Sequence, residues 1–593
     1  MKLSDYVVDF ISRQEVNHVF EFIGGAITHL IDSLYHRSDM ECVSVHHEQT
    51  GAFAAEAYAR INGHLGVAMA TSGPGALNMV TGVGSCWFDS VPCLFITGQV
   101  NTYEYKFDRP VRQIGFQETD IVSVVKPLTK YAVLVTEPES IRYHLEKAVW
   151  LAQNGRPGPV LLDIPMNIQR AHIDPEALPG FWGCDEQAAL DDIPPIDLEA
   201  VKNVATLVKE AKRPVILAGG GVRTALAADE LQAFVRQTGI PVVSTLMGVD
   251  AIPHDNPAFF GMIGSYGNRY SNMTLANSDL LLILGARLDS RQTGTRPDTF
   301  ARAATKIHVD IDPHELNAKV KVDVALRADL KDFLIALNRE LGSKSNADLG
   351  PWYKVINSYR EKYPTRVVPA DFQVDIDPNR FMEILSQRCG VGDVVCLDVG
   401  QNQMWAAQSF LLKKDQRMLI SGGMGAMGFS LPAALGAAKA LPGRRVISIA
   451  GDGGIQVNIQ DLDLIVNHRL PVKVIVLNNN CLGMVRQFQD MYFGGRRQST
   501  VIGYGCPNLV KIAEAYGLPA FTITSLDNAE VILDEALGLD GPAYVEVKLG
   551  QSTCVNPKLV VNRPIEDMSP HLDRRELADS MLIDLVDEGE VPK

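Results

Sequence analysis

The sequence predicts an α/β protein made of three doubly wound domains with parallel sheets. Short apolar runs rich in β-branched residues recur along the chain and alternate with stretches of helical periodicity. Runs such as Val472–Leu477 are apolar throughout, as is typical of parallel strands that are buried on both faces. Two polar stretches that contain several prolines interrupt this alternation and divide it into three parts.

These two interruptions set the predicted domain boundaries. The first runs from about His172 to Pro195, and the second from about Gly342 to Asp377, where we expect irregular structure. The predicted units are residues 1–171, 196–341 and 378–550, followed by a tail at 551–593.

Composition restricts the class of protein. The chain has 593 residues, 46% of them hydrophobic, and its apolar runs are shorter than the roughly 18 residues that a membrane helix needs. A formal net charge of −15 argues against nucleic acids and anionic membranes as partners. Nine scattered cysteines predict reduced thiols, and the start at Met1–Tyr6 has no apolar signal region. We therefore expect a cytoplasmic location.

The first domain offers a carboxylate at the end of a predicted strand. Glu48 follows the strand-like run Cys42–Val45 and begins an alanine-rich helix, at the edge of the sheet where α/β sites collect. Glu56, two turns further along, is the competing carboxylate, and for it packing within the helix is the simpler explanation. Ala70–Asn78 then predicts a strand, a Gly-Pro turn and the start of a helix.

The middle domain places glycines and polar side chains after its predicted strands Pro214–Ala218, Leu280–Leu284 and Lys306–Ile311. Glycine at a strand end lets the backbone approach a diphosphate closely, and a carboxylate can bind a ribose hydroxyl. Each such turn is a weak signal by itself, so a purely structural domain is the alternative. The candidate residues are Gly219, Gly220, Gly221, Thr245, Leu246, Gly285, Arg287, Asp289, Arg291, Asp310, Ile311 and Asp329.

The third domain contains the most specific pattern. Gly451-Asp452-Gly453 closes one apolar run, and twenty-four residues later Asn478-Asn479 closes the next. Since parallel strands end at the same edge of a sheet, a carboxylate and an amide oxygen should meet there. Mg²⁺ prefers oxygen ligands and commonly takes its remaining ones from phosphates, and Gly453 and Gly454 allow such phosphates to lie against the backbone.

This pattern, together with Glu48, resembles the thiamine diphosphate enzymes. The middle-domain turns and Gly400-Gln401-Asn402-Gln403-Met404-Trp405 narrow the resemblance to the acetohydroxyacid (acetolactate) synthase branch, over nearly the whole chain. The resemblance implies thiamine diphosphate, Mg²⁺ and FAD as cofactors, with FAD structural. It also implies a homodimer or homotetramer in which one chain supplies Glu48 and its partner supplies the diphosphate half.

The resemblance assigns further roles. Glu48 would activate the cofactor, with Phe116 and Gln117 beside it, and Asp452, Asn479 and the carbonyl of Cys481 would hold the metal. Arg291, Phe488 and Gly24 would line the substrate side, and Asn562–Pro570 would lie over the site. The other implied thiamine diphosphate contacts are Gly400, Gln401, Asn402, Gly425, Met427, Gly451, Gly453, Gly454 and Met484.

The reaction that the resemblance implies is decarboxylation of pyruvate followed by transfer of the two-carbon unit to a second carbonyl compound. A pyruvate oxidase would instead reduce the flavin, and a simple decarboxylase would release acetaldehyde. A non-catalytic subunit is disfavoured because Glu48, Asp452 and Asn479 are all present, and glyoxylate-type carboligases lack the glutamate.

Four departures from the synthase pattern leave the acceptor open. Met166 replaces a lysine that follows Asp-Ile-Pro, and Ser265-Tyr266 replaces a Met-His pair that follows Leu-Gly. Phe488 replaces a tryptophan, and Asn402 replaces a histidine between two glutamines. This mixture also suits ligases that transfer an acetyl unit to a keto-sugar nucleotide.

Overall fold

The computed structural model describes residues 1–190, 193–342, 348–365 and 376–586. In this part of the chain there are three six-stranded sheets, all parallel, each with helices on its faces. The expected α/β class with three sheets is therefore confirmed. Among the described residues, no helix has the length and apolar character required to cross a bilayer.

Across the first sheet, the strands lie in the order 2-1-3-4-6-5 when they are numbered along the chain. Its strands are β1 (His18–Phe22), β2 (Glu41–Ser44), β3 (Gly66–Ala70), β4 (Cys93–Gln99), β5 (Tyr131–Leu134) and β6 (Val160–Pro165). The accompanying helices are α1 (Leu3–Ser12), α2 (Thr28–Tyr35), α3 (Glu48–Asn62), α4 (Pro74–Asn78), α5 (Val80–Asp89), α6 (Ile121–Val125), α7 (Ile141–Gln153) and α8 (Met166–Gln169), with α9 (Asp185–Ala189) after them.

The middle sheet has a different order, which in its own numbering is 3-2-1-4-5-6, the arrangement typical of dinucleotide-binding domains. Its strands are β7 (Pro214–Ala218), β8 (Val242–Ser244), β9 (Phe259–Met262), β10 (Leu280–Leu284), β11 (Thr305–Asp310) and β12 (Val324–Arg327). Its helices are α10 (Leu198–Glu210), α11 (Gly221–Thr224), α12 (Ala228–Thr238), α13 (Arg269–Ala276), α14 (Ser290–Thr293), α15 (Leu330–Leu341) and α16 (Gly350–Lys362).

The third sheet repeats the order of the first, 2-1-3-4-6-5. Its strands are β13 (Val394–Leu397), β14 (Arg417–Ile420), β15 (Val446–Gly451), β16 (Val472–Asn478), β17 (Ala520–Ile523) and β18 (Ala543–Lys548). Its helices are α17 (Pro378–Arg388), α18 (Gln401–Ser409), α19 (Ser430–Ala440), α20 (Asp452–Ile455), α21 (Asp461–Asn467), α22 (Gly483–Tyr492), α23 (Leu509–Ala515) and α24 (Leu526–Gly538).

The stretch expected to be irregular after Gly342 contains a helix, so this expectation is wrong for residues 350–362. Helix α16 buries Trp352, Ile356 and Tyr359 against the middle sheet, and the Trp352 indole N–H donates to the Pro214 carbonyl at 3.2 Å. Its apolar side chains therefore belong to the middle core. The remaining linker positions 191–192, 343–347 and 366–375 lie outside the described residues.

The tail after residue 550 packs against the middle domain. It contains β19 (Lys558–Leu559), β20 (Met568–Ser569) and α25 (Arg574–Ser580). Ile565 is fully buried, and Asn272 donates to its carbonyl at 3.0 Å. The Leu559 N–H donates to the Ser265 carbonyl at 2.7 Å, which attaches the tail beside the larger of the two cavities described below. Its last residues, 587–593, are outside the described part.

The first and third domains of the chain meet through two small-residue helices. Helix α3 packs against α19 so closely that a Cβ on Gly436 would lie 2.0 Å from the Ala54 carbonyl oxygen. Alanine and glycine on both helices make this approach possible, and the apolar residues of the two helices form one continuous core. The packing fixes where α3 and its first residue, Glu48, sit relative to the third domain.

Candidate active site

Glu48 is held at the beginning of α3 by local geometry. His47 caps the helix, because its Nδ1 accepts the Gln49 backbone N–H, and Gly63 ends the helix in the left-handed region. Glu48 itself is buried, and its Oε2 accepts a hydrogen bond from Asn78 Nδ2 at 2.9 Å. The carboxylate is thus fixed by a side chain from α4, an interaction that the sequence argument did not include.

The Gly-Pro turn after β3 brings other predicted residues to Glu48. A Cβ on Gly75 would lie 3.0 Å from Glu48 Oε1, and one on Gly24 would clash with the Thr71 side chain at 2.4 Å. A Cβ on Gly73 would lie 2.9 Å from the Gln117 carbonyl oxygen. Glu48, Gly24 and Gln117 therefore surround one turn, and Phe116, beside Gln117, has 85% of its surface exposed.

Asp452 and Asn479 follow adjacent strands, as the spacing predicts. Strands β15 and β16 pair in parallel with Gly451 opposite Leu477, so both side chains emerge at the same edge. The Asn479 amide nitrogen donates to Gln401 Oε1 at 2.9 Å, which turns its oxygen away from Gln401. Asp452 is buried and accepts a hydrogen bond from the Tyr504 hydroxyl at 2.7 Å. Burial raises the pKa of the Asp452 carboxyl to about 6, although the hydrogen bond from Tyr504 acts in the opposite direction.

A cavity of about 650 Å³ lies at this edge. It brings together most of the predicted diphosphate-side residues with the predicted acceptor residue Arg291. Glu48 is not among the described residues that line it. The predicted residues on its lining are Leu246, Arg287, Asp289, Arg291, Gly400, Gln401, Asn402, Gly425, Met427, Gly451, Asp452, Gly453, Gly454, Asn479, Cys481 and Met484.

Side chains near Gly453 leave no room for a side chain at that position. A Cβ there would lie 2.5 Å from Leu482 Cδ2 and 3.3 Å from Met427 Cε, and one on Gly454 would lie 2.3 Å from Asp398 Oδ1. Gly453 and Gly454 both line the cavity, so the backbone of this turn is accessible to a ligand there.

Arg291, which lines this cavity, and Phe488 each lie next to a tyrosine ring, and the Lys558 ammonium is near both of these rings. The Arg291 guanidinium is 5.8 Å from the centre of the Tyr266 ring. Phe488 packs on Tyr492 with ring centres 4.7 Å apart, and the Lys558 ammonium lies 5.3 Å from the centre of the Phe488 ring. Lys558 comes from the tail, so the tail contributes a cation beside Phe488 that the sequence argument did not predict.

A second cavity, of about 310 Å³, lies at the carboxyl ends of β7 and β10, where the strand order of the middle sheet reverses. The glycine-rich backbone is tightly packed there, since a Cβ on Gly219 would lie 2.1 Å from the Gly285 carbonyl oxygen. The predicted residues on its lining are Gly220, Gly221, Thr245, Gly285, Arg287, Asp310, Ile311 and Asp329. Gly219 lies behind this lining.

Two acidic residues predicted as cofactor contacts have structural partners. Asp289 caps α14 by accepting the N–H groups of Arg291 and Gln292, and Asp329 caps α15 in the same way. Asp310 is buried in the cavity, and burial raises the pKa of its carboxyl to about 6. Arg156, which the sequence argument did not include, also lines the cavity and pairs with Asp312 at 3.0 Å.

Comparison with known proteins agrees with this geometry. Three family models match the chain. The model described as "Thiamine pyrophosphate enzyme, N-terminal TPP binding domain" matches residues 1–124. The models for the central domain and the C-terminal TPP binding domain of the same enzymes match residues 201–337 and 398–547. Acetolactate synthase 2 of Nicotiana tabacum is 38% identical, and the match spans 97% of this chain and 86% of that protein.

The chain belongs to the acetolactate synthase family of thiamine pyrophosphate enzymes. Two further relatives are similar over most of their length. Acetolactate synthase 2 of Zea mays is 38% identical, and the match spans 96% of this chain and 88% of that protein. The acetolactate synthase of Arabidopsis thaliana is 37% identical, and the match spans 97% of this chain and 85% of that protein. All three relatives are named as chloroplastic.

The residues present fit the cofactors of a thiamine pyrophosphate enzyme. Asp452, Asn479 and the Cys481 carbonyl provide oxygen donors of the kind that Mg²⁺ prefers, and no cluster of three His, Cys, Asp or Glu side chains in the described ranges offers a different metal site. The side-chain-free turn at Gly453 suits a diphosphate. The glycine cradle at the switch point of the middle sheet suits the diphosphate of FAD, and the two cavities share Phe88, Met247, Arg287 and Gln292.

Proposed function

We propose that this protein is a thiamine diphosphate-dependent carboligase that decarboxylates pyruvate and joins the two-carbon unit to a second carbonyl compound, as an acetolactate synthase does. The observation that carries the proposal is one cavity lined by Asp452, Asn479 and Arg291 at the edge of the third sheet. It combines oxygen donors for Mg²⁺ with a cation for a carboxylate substrate.

Residues of the chain would bind the cofactor and its metal and hold a proton on the cofactor. Bound thiamine diphosphate supplies a nucleophilic carbon and accepts the electrons released by decarboxylation. Asp452, Asn479 and the Cys481 carbonyl would bind Mg²⁺ and so hold the cofactor's diphosphate. Glu48, fixed by Asn78, would hold a proton at a nitrogen of the aminopyrimidine ring.

The acceptor side would be formed by side chains at the mouth of the cavity. Arg291 would bind the acceptor carboxylate, since a guanidinium matches a carboxylate with two parallel hydrogen bonds. Phe488 would pack against the apolar part of the acceptor. Phe116 and Gln117, together with Gly24, would complete this side, and FAD would bind in the middle-domain cavity without exchanging electrons.

The active unit that we propose is a homodimer in which each site combines Glu48 of one chain with Asp452 of the other. Glu48 lies outside the described lining of the cavity that contains Asp452, and large apolar side chains are exposed on both halves. Phe116 is 85% exposed, Ile502 61% and Val485 53%. Exposed apolar side chains concentrated beside site residues are typical of an interface.

Domain boundaries at 1–171, 196–341 and 378–550 with a tail at 551–593 remain proposals, with α16 added to the middle unit. All nine cysteines are free thiols, which supports a reducing compartment such as the cytoplasm. Cell fractionation would test this location, since the plant relatives are named as chloroplastic.

One assay separates the candidate reactions. Purified protein supplied with thiamine diphosphate, Mg²⁺ and FAD should convert pyruvate to acetolactate while the flavin stays oxidised. Anaerobic bleaching of the flavin by pyruvate would instead indicate an oxidase, and acetaldehyde as the main product would indicate a decarboxylase. Asp452→Ala should abolish Mg²⁺-dependent retention of the cofactor on gel filtration, and retention equal to that of the wild type would contradict the metal assignment.

A further inference from the structure

A closed loop stands at the edge of the first domain, and its ends are tied together. Residues 106–114, here called the cationic loop, follow β4 and a short 3-10 turn at Thr102–Glu104. The buried Glu118 carboxylate accepts the backbone N–H groups of Lys106 at 2.8 Å, Ile114 at 2.7 Å and Gly115 at 3.2 Å. Compact loops with joined ends frequently carry function.

The cationic loop carries more positive than negative charge. It contains Lys106, Arg109 and Arg112 but only one acid, Asp108, in a chain whose formal net charge is −15. Residues 107–114 are all exposed. Within the described part of the chain, the side chains of Arg109 and Arg112 make no hydrogen bond or ion pair. Within one chain, the loop therefore offers cations without carboxylate partners to an anion.

The loop is attached directly to the substrate side of the site. Phe116 and Gln117 follow it, and Gln117 packs on Gly73, in the turn that also contacts Glu48. A chain covers at most about 3.6 Å per residue, so the Arg112 Cα lies within roughly 18 Å of the Gln117 Cα. The loop is thus close along the chain to the residues expected on the substrate side.

The start of the loop region is also tied to α8, where an uncharged residue stands. Asn167 Oδ1 accepts the Thr102 N–H at 2.9 Å, and Asn167 Nδ2 donates to the Thr102 hydroxyl at 2.9 Å. The neighbour of Asn167 on this helix is Met166, which has no charge. Helix α8 itself, Met166–Gln169, has no charged residue, so the loop supplies the cations next to this contact.

We propose that the cationic loop binds a phosphate or diphosphate group of the acceptor, so that the enzyme accepts a phosphorylated or nucleotide-linked ketone. This rests on the proposed carboligase function. A second keto acid carries its carboxylate next to the carbonyl, where Arg291 would bind it. A phosphate ester carries its charge away from the carbonyl carbon, and Arg109 and Arg112 would bind it, because arginine binds phosphate through charge-assisted hydrogen bonds.

The first test measures binding of inorganic pyrophosphate. The protein is saturated with thiamine diphosphate, Mg²⁺ and FAD, so that both cofactor diphosphate sites are filled, and pyrophosphate is titrated by calorimetry. We expect one pyrophosphate per chain, with an affinity that falls as salt rises. The double variant R109A/R112A should bind it at least about tenfold more weakly, because two charge-assisted contacts are lost. The control variant K209A/K212A removes two exposed charges from the middle domain and should bind as the wild type does.

The second test measures transfer. With pyruvate as donor, kcat/KM is compared for dihydroxyacetone phosphate and for dihydroxyacetone, which differ only in the phosphate. The wild type should prefer the phosphate ester, R109A/R112A should lose most of that preference, and acetolactate formation from pyruvate alone should be unchanged. No preference in the wild type, or an equal preference in R109A/R112A, would overturn the proposal.

The two tests separate this proposal from the function on which it rests. If pyruvate gives no acetolactate at all but R109A/R112A still weakens pyrophosphate binding, the carboligase proposal fails while the anion site stands. Pyrophosphate binding that is equal in the wild type and in R109A/R112A would remove the anion site whatever the reaction. Binding by the loop without preference for the phosphate ester would overturn its role in the acceptor.

Discussion

Glu48 and Glu56 lie two turns apart on one helix, but their surroundings differ. Glu48 accepts a hydrogen bond from Asn78 and faces the Gly75 turn, whereas Glu56 is fully buried and packs beside Arg60. Burial raises the pKa of the Glu56 carboxyl, as expected for an acid inside a helix–helix contact. The sequence favoured Glu48 over Glu56 by its position at a strand end, but it did not show this difference in hydrogen bonding and burial.

The first prediction at the residue scale concerns activation of the cofactor. Glu48→Gln keeps the size of the side chain but removes the charge, so exchange of the thiazolium C2 proton should slow by orders of magnitude while thiamine diphosphate still binds. Proton exchange followed by NMR measures this. Glu56→Gln is the matched control and should exchange at the wild-type rate. A wild-type rate in Glu48→Gln would refute the assignment of Glu48.

A second residue-scale prediction concerns acceptor choice. Phe488 is 44% exposed and offers a smaller surface than tryptophan, so it should make fewer dispersion contacts with the extra methylene of 2-ketobutyrate. One methylene in a fitted pocket is worth about 1–3 kcal/mol, so the wild type should show little preference for 2-ketobutyrate over pyruvate as acceptor. Phe488→Trp should raise the ratio of acetohydroxybutyrate to acetolactate severalfold when both keto acids compete at equal concentration. A strong excess of acetohydroxybutyrate from the wild type would mean that Phe488 does not set this preference.

At the scale of elements, the glycine turns after β7 and β10 decide whether the middle domain can hold a flavin. Gly285 has a φ of +56°, and a Cβ on it would lie 2.6 Å from the Gly221 Cα. Gly239, at the end of α12 in the same domain, has a φ of +68° with nothing within 4 Å of a Cβ position. The two glycines share the backbone strain but only the first has the steric conflict.

This pair gives a prediction with its own control. Gly285→Ala should lower FAD content per chain and the thermal unfolding midpoint, because the two strand-end loops must separate. Gly239→Ala should cost only about 1 kcal/mol, the penalty of a left-handed alanine, and leave FAD content unchanged. Flavin absorbance after reconstitution and thermal unfolding measure both. Equal FAD content in the two variants would show that the close approach at Gly285 is not needed for the flavin.

At the scale of the whole molecule, a buried acid lies where the first and third domains meet. Thr50 donates to Asp461 Oδ2 at 2.7 Å, and burial raises the pKa of the Asp461 carboxyl to about 8. The unfolded chain releases this proton near pH 4, whereas the folded protein keeps it. The contribution of Asp461 to stability is therefore complete below pH 4 and is lost as pH rises towards 8.

Asp461→Asn cannot lose a proton, so it should remove this pH dependence. Its thermal midpoint relative to the wild type should be more favourable at pH 8 than at pH 5. Asp527→Asn changes an exposed residue at the start of α24, so its thermal midpoint should differ from that of the wild type by the same amount at pH 5 and at pH 8. If the Asp461→Asn difference is also the same at pH 5 and pH 8, the carboxyl is ionised in the fold and the argument is wrong.

The proposed dimer makes a prediction about mixed subunits. Glu48→Gln and Asp452→Ala should each be inactive alone. When the two are unfolded or dissociated together and allowed to reassemble at equal amounts, half of the dimers should be mixed, each with one intact site, which restores about a quarter of wild-type activity for a two-fold symmetric dimer. Absence of any recovery in assembled mixed dimers would place both residues of a site in the same chain.

Several features of the molecule follow from the sequence alone. The runs Pro214–Ala218 and Leu280–Leu284 are strands with the predicted bounds, because strands buried on both faces are apolar throughout and stand out from amphipathic helices. The spacing from Asp452 to Asn479 predicts their meeting, because a parallel sheet ends its neighbouring strands at one edge.

The tertiary structure alone decided which distant residues support these positions. Asn78 beside Glu48, Tyr504 beside Asp452 and Lys558 beside Phe488 come from other parts of the chain. Helix α16 was missed because Gly350-Pro351 and a mixed polar sequence hide its buried aromatic side. Periodicity reports how a segment divides its faces between core and solvent, but contacts between segments depend on the order of strands in each sheet. That order arises from packing of the whole chain, which local pattern does not contain.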